Sequence, residues 1–418
     1  MIAIRTLTDG GQQPVDIAHM LADFLGQAQQ SLDIAIYDLK LDGETETLVT
    51  GAIESAGQRG VAVRLAFNAD FRAPIPVPPP PQARPEDIER LTVPTRPIPG
   101  IPDLMHHKFV VRDNASIWSG STNWTDESWS REENVILTVD SPGLATAFTL
   151  NFEELWNKQD VMKSGFVEPR PVDVDGVQVR PWFCPGFGDA LSHRIAKACG
   201  RARRRIRICS PVLTSAPILA TLSQIASEGK IDLAGCVDQT QIEEVFYQWR
   251  TNGVTGWKIP LLEAVLSRAQ FSGKRSTPYT PTSIHDYMHA KVTVADDTVF
   301  CGSFNLSRSG EKNAENMLEI QDAKIADELA AFVDSVRARY PAAEVPHGGS
   351  TGAPPPDPPD YSAASSASSP CSTMSPGLKR MPCRVSRQTS FRRRRNSRSM
   401  PKCLNSSSWA FSMIARAC

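Results

Sequence analysis

Apolar positions along the first 340 residues recur with two periods. Val15 to Ala28 repeats them at helical spacing, and Ser31-Leu32-Asp33-Ile34-Ala35-Ile36-Tyr37 then forms a short, mostly apolar run that predicts a buried strand. Helical spacing returns over Glu44 to Gln58, followed by a strand at Val61 to Phe67. Further on, a strand at Asn134 to Val139 precedes a helix at Gly143 to Lys158. The second half repeats this order. Helix Asp189 to Ala198 leads to strand Arg205 to Ser210, helix Pro217 to Ser227 to strand Ile231 to Val237, and strand Met317 to Gln321 to helix Ile325 to Arg339. Strands alternating with helices of this length predict βαβ units and an α/β fold with parallel or mixed sheets.

Between these elements one chemical pattern occurs twice. His106-His107-Lys108 is followed by Asp113 and Gly120-Ser121-Thr122-Asn123, and His289-Ala290-Lys291 by Asp296 and Gly302-Ser303-Phe304-Asn305. A Glu-Asn pair closes each block, Glu133-Asn134 and Glu315-Asn316. The copies lie about 183 residues apart, and an ordered repeat of this kind predicts two similar lobes. On a strand the side chains alternate faces, so His106 and Lys108 share one face, as do His289 and Lys291. His107 faces the other way and reads as structural. Short strands at Ser116 to Ser119 and Thr298 to Cys301 follow, and the glycine after each turns Ser and Asn back towards the histidine and lysine. Each half then offers an imidazole, an ammonium, a hydroxyl and a carboxamide to one point.

That set suits a phosphodiester. The substrate is anionic and repels anionic nucleophiles, whereas a neutral imidazole can attack phosphorus and split one displacement into two through a phosphohistidine. The second imidazole can protonate the leaving alkoxide, a contribution of about 100-fold to 10,000-fold. Lys108, Lys291, Asn123 and Asn305, with Ser121 and Ser303, are the candidate phosphate-binding groups, placed where negative charge builds up. No metal or other cofactor is expected, because the histidines lack zinc-site spacings and the site brings its own cations.

The paired blocks closely resemble the phospholipase D superfamily, whose motif is His-x-Lys-x(4)-Asp with a downstream Gly-Ser-x-Asn. The resemblance covers roughly residues 1 to 340. It implies two α/β/α lobes with mixed sheets, related by a pseudo-twofold axis, over 1–165 and 166–345. It implies His106 as nucleophile and His289 as general acid, with Glu133 and Glu315 as the glutamates that hydrogen-bond the imidazoles. Asp113 and Asp296 are expected to brace the local backbone. Five residues separate Asp296 from Gly302 against six between Asp113 and Gly120, a difference that a turn can absorb.

Composition sharpens the picture at the edges. Hydrophobic content of 41% and charged content of 22% are those of a soluble globular protein, and no apolar run approaches a membrane span. Nine cysteines at irregular spacing, with Cys184, Cys199, Cys209, Cys236 and Cys301 in the globular part, suggest reduced thiols and a cytoplasmic setting. Both motifs lie in one chain, which predicts a monomer. A proline-rich stretch, Pro74 to Pro102, is expected to form a rim beside the cleft, and Gln270 to Thr282 takes the matching place in the second half. Trp124, Trp129, Trp249 and Trp257 are candidate apolar walls, and His285 a candidate entrance residue. From about Pro346 a Ser-, Pro- and Arg-rich tail begins, with 11 basic and 2 acidic residues against 34 and 44 in the rest of the chain. The expectation for 346–418 is disorder, either as an electrostatic tether to anionic lipid or nucleic acid or as a non-functional extension.

Three functions fit the motifs. The first is a phospholipase D-type hydrolase or transferase acting on a phospholipid head group, with transient contact at a membrane surface. The second is a metal-independent nuclease, which the acidic balance of the core disfavours. A non-catalytic phosphate-binding module is the third, and the two complete sets of His, Lys and Asn count against it.

Overall fold

The computed structural model describes residues 1–69, 85–100, 103–278 and 283–346. Two sheets hold nearly all the strands of the described residues. The first orders its seven strands as Ile2–Leu7, Asn134–Asp140, Ser116–Gly120, Lys108–Arg112, Ser31–Ile36, Ala62–Ala69 and Thr95–Pro99. The second runs Val172–Val174, Val177–Phe183, Asn316–Gln321, Thr298–Gly302, Val292–Ala295, Arg205–Cys209, Asp232–Asp238 and Gln270–Lys274. Apart from the extra Val172–Val174 hairpin strand, the orders match position for position. Each sheet is mixed. Ser31–Ile36, Ala62–Ala69 and Thr95–Pro99 are parallel, as are Arg205–Cys209, Asp232–Asp238 and Gln270–Lys274, while the motif strands pair antiparallel. The fold is therefore the duplicated mixed α/β arrangement that the alternation predicted.

Helices Pro14–Gly26 and Glu44–Gln58 pack on the first sheet through Leu21, Leu25, Val49 and Ile53. Helices Gly188–Arg201, Ala216–Glu228, Gln239–Asn252 and Ile259–Arg268 line the second through Leu191, Ile195, Leu219, Leu222, Phe246 and Leu262. A third cluster joins the lobes. Phe148, Phe152 and Leu155 of helix Pro142–Lys158 share one buried core with Leu329, Val333 and Val336 of helix Ala323–Arg339 and with strand residues from both sheets. The described residues fall within one compact unit.

Several strands and helices carried no expectation. Ile2–Leu7 and Val177–Phe183 add antiparallel strands beside Asn134–Asp140 and Asn316–Gln321. Thr95–Pro99, with two prolines, is an edge strand, the position in a sheet that tolerates a missing N–H donor. The rest of the proline-rich stretch, 74–84 and 101–102, lies outside the described residues, as do 279–282 and the tail beyond 346. No helix among the described residues is long and apolar enough to cross a membrane.

Candidate active site

The segments that lead into the motif strands meet between the lobes. Short parallel bridges join Met105 to Ala314 and Glu133 to Met288, and the His106 N–H donates to the Ala314 carbonyl at 2.9 Å. Each motif histidine therefore enters the site lying against the opposite lobe. His106, Lys108, His289 and Lys291 are all buried. They are close enough for charge to couple across the pair. Lys291 and Lys108 each oppose a positive charge on the other and on both histidines.

His106 is held by a carboxylate. Its Nδ1 lies 2.8 and 2.9 Å from the two oxygens of Glu315. With Nδ1–H donated there, Nε2 carries the lone pair. The Tyr37 ring packs against the imidazole at 4.7 Å between centroids, and the Lys108 ammonium lies 4.9 Å from the same ring. Burial lowers His106 to about 4, opposed by Glu315 and reinforced by the two lysines. His289 falls well below its ordinary value through burial first and then Lys291, Lys108 and His106. Its Nε2 is buried with no hydrogen-bond partner among the described residues. The lysine side chains turn back on their own motifs, Lys108 Nζ donating to the His106 carbonyl at 2.8 Å and Lys291 Nζ to that of His289 at 2.5 Å.

Asn123 and Asn305 are buried, and neither Oδ1 has a hydrogen-bond partner among the described residues. Turning the amide presents Nδ2 instead, a donor suited to an anionic oxygen. The serines behave differently from expectation. Ser121 Oγ donates to Asn134 Oδ1 at 2.7 Å and accepts from the Val135 N–H at 2.9 Å, and Ser303 Oγ accepts from the Asn316 N–H at 3.0 Å. Their hydroxyls hold the neighbouring strand and are not left for phosphate. The preceding glycines have a steric reason. A Cβ at Gly120 would lie 2.1 Å from the Val135 carbonyl oxygen, and one at Gly302 would lie 2.3 Å from that of Asn316.

Asp113 accepts N–H bonds from Gln29, Gln30 and Ser31, and Asp296 from Arg203, Arg204 and Arg205. These bonds keep both carboxyls below their usual range against the cost of partial burial. The extra residue in the first copy sits at this turn, where Asp113 and Asn114 both take positive φ while Asp296 alone does so in the second.

Glu133 needs correction. It does not reach His289. Its carboxylate accepts from Lys274 Nζ at 2.9 Å and from the Tyr340 hydroxyl, so it is a buried tie between lobes. The residues at His289 Nδ1 are Asn134, with Oδ1 at 3.1 Å, and Glu132, with Oε2 at 3.3 Å. The physical reason is a slip of one residue. Gly120 pairs with Ile136, but Gly302 pairs with Met317, so the first copy carries one more residue between turn and strand. Glu133 and Glu315 both stand thirteen positions after their glycine, yet Glu315 matches Asn134 in space. A shift of one residue on an extended chain sends a side chain to the opposite face.

His107 faces away from the pair, its Nδ1 3.1 Å from Asn316 Oδ1 and its ring edge-on to Phe109. His285, half-buried, stacks on Tyr287 and adds to the positive charges that lower His289. Trp124, Trp129 and Trp249 are core residues and not cleft walls, while Trp257 is exposed. The five cysteines of the described residues are free and buried. No group of three or more His, Cys, Asp or Glu side chains among those residues could hold a metal ion.

A duplicated mixed α/β lobe that brings two His-x-Lys strands into one buried site defines the phospholipase D superfamily, and this chain belongs to it. Within that superfamily, the family model described as cardiolipin synthase, PLD-like domain, matches residues 21–156 and 195–337. The chain is 29% identical over 144 residues to mitochondrial cardiolipin hydrolase of Xenopus laevis, covering 34% of this chain and 62% of that protein. It is 26% identical over 151 residues to mitochondrial cardiolipin hydrolase of Homo sapiens, covering 34% and 52%. The match thus spans less than two thirds of these relatives' length. The fold is similar to that of phosphatidylserine synthase from Haemophilus influenzae Rd KW20, with a TM-score of 0.56 at 11% identity over 80% of this chain and 86% of that one.

Proposed function

We propose that the protein is a phospholipase D-type phosphodiesterase that removes a phospholipid head group at a membrane surface. His106 Nε2 attacks phosphorus and the bond to the head-group oxygen breaks, leaving a phosphohistidine. His289 gives its proton to the departing alkoxide. It then takes a proton from water, whose oxygen attacks phosphorus and frees His106; an alcohol in place of water gives transfer. Lys108, Lys291, Asn123 and Asn305 hold the non-bridging oxygens. The observation that carries this reading is the crossed anchoring of the two imidazoles, each tied at Nδ1 by the opposite lobe.

Two facts support a lipid over a nucleic acid. Relatives at 26% and 29% identity are named cardiolipin hydrolases. The chain before the tail has 34 basic and 44 acidic residues, a poor balance for sequence-independent binding of polyphosphate. A side-by-side assay of cardiolipin, phosphatidylcholine, single-stranded DNA and bis-p-nitrophenyl phosphate tests the reading. Release of head group from lipid with DNA left intact is expected. Cleaved DNA with untouched lipid would make the protein a nuclease.

A further inference from the structure

The two histidine anchors are not copies of each other. Strand register makes Ile136 equivalent to Met317, Asn134 to Glu315, and Glu132 to Asn313. Each anchor thus contains one carboxylate and one carboxamide two residues apart, in opposite order. At His106 the carboxylate Glu315 is in direct contact and Asn313 Nδ2 stands behind it at 3.4 Å. At His289 the carboxamide Asn134 has the shorter contact, and Glu132 accepts from Asn134 Nδ2 at 3.0 Å while reaching Nδ1 at 3.3 Å. The amide's orientation is fixed. Its Nδ2 also donates to the Ser128 carbonyl at 3.1 Å, and its Oδ1 accepts from Ser121 Oγ, so only Oδ1 can face the imidazole. Ser128 Oγ holds Glu132 from the other side at 2.6 Å.

We infer that this exchange of carboxylate and carboxamide sets the direction of the reaction, with Glu132 as the positioning residue that makes His289 the general acid. The inference rests on the phosphodiesterase reading above. A carboxylate in direct contact enriches an imidazole and favours nucleophilic attack. A carboxamide in that place orients the ring without adding charge, so the protonated form of His289 is the readier proton donor. Glu132, one step back, steadies the amide and supplies part of a counter-charge. An imidazole backed this way receives and releases a proton in each half-reaction, while His106 stays committed to phosphorus.

Glu132→Gln separates this from a structural role, because p-nitrophenolate leaves without help from an acid and a head-group alkoxide does not. The expected result is a loss of about 100-fold in kcat/KM on cardiolipin, with the p-nitrophenolate burst from bis-p-nitrophenyl phosphate changed by no more than about 3-fold. The alkaline limb on cardiolipin should also move to lower pH. Asn134→Asp, which puts a carboxylate against His289, should move that limb to higher pH, and it serves if Glu132→Gln folds poorly. Equal losses on both substrates, or limbs that stay in place in both variants, would overturn the assignment. If the unaltered protein releases neither p-nitrophenolate nor head group, the underlying phosphodiesterase reading fails before the variants are compared.

Discussion

His106 Nδ1 and Glu315 Oε1 are 2.8 Å apart although 209 residues separate them in the chain, and both are fully buried. This contact joins the first motif to the second lobe and fixes the tautomer that leaves the lone pair on Nε2. Glu315→Gln should lower kcat/KM by about 100-fold to 10,000-fold, the range for a catalytic imidazole that loses its carboxylate partner. Activity within a few-fold of the parent would remove Glu315 from the mechanism.

Glu133, by contrast, belongs to the architecture. Its pair with Lys274 crosses the lobes in a dry setting, where Lys274 also donates to the Arg131 carbonyl at 2.6 Å. Lys274→Met would leave the carboxylate buried without its counter-charge, at a cost of about 3–5 kcal/mol. Urea unfolding should show that loss, while the rate per folded molecule stays close to the parent's. Unchanged stability with abolished turnover would return this pair to the chemistry.

Protonation gives a separate check. Burial holds His106 at about 4 and His289 well below its ordinary range, so both are neutral in the substrate-free protein at pH 7. In the proposed mechanism the productive form carries one proton, on His289, and in the free enzyme that form is populated on the acid side. The profile of kcat/KM should therefore fall as pH rises through neutrality. A bound phosphodiester anion favours the imidazolium and raises its pKa, so the alkaline limb of kcat should lie at higher pH. The apparent values belong to the pair. Superimposed profiles, both turning near 6.5, would contradict this picture.

Close backbone approach at the turn also has a cost that can be measured. Gly302→Ala pushes a methyl against the Asn316 carbonyl oxygen, 2.3 Å from the ideal Cβ. Destabilisation of about 1–3 kcal/mol is expected, read from the denaturation midpoint. A neutral substitution would show that the strands can separate there without penalty.

The sequence was most legible where a period or a repeat constrained it. Helix Glu44–Gln58 has the bounds its periodicity predicted, whereas the motif strands begin only at Lys108 and Val292, so that His106, His289 and Lys291 stand just before them, outside the regular alternation. Helix Gln239–Asn252 was missed among its polar residues, although Ile242, Val245, Phe246 and Trp249 carry the helical spacing. Glu132 was hidden differently. Equal spacing from glycine to Glu-Asn in both copies concealed a one-residue insertion, which only the strand register exposes. The role of the serine hydroxyls is not legible in the spacing, because their backbone partners, Val135 and Asn316, lie on a neighbouring strand.

In the proposed mechanism one phosphorus is passed to His106 while His289 handles the proton. Brief reaction of the His289→Asn protein with a 32P-labelled phosphodiester, followed by alkaline quench and peptide mapping, distinguishes the two roles. Acid-labile label on the peptide containing His106 is the predicted result. Label retained by a His106→Asn protein on the His289 peptide, with none on the His106 peptide when His289 is replaced, would contradict it.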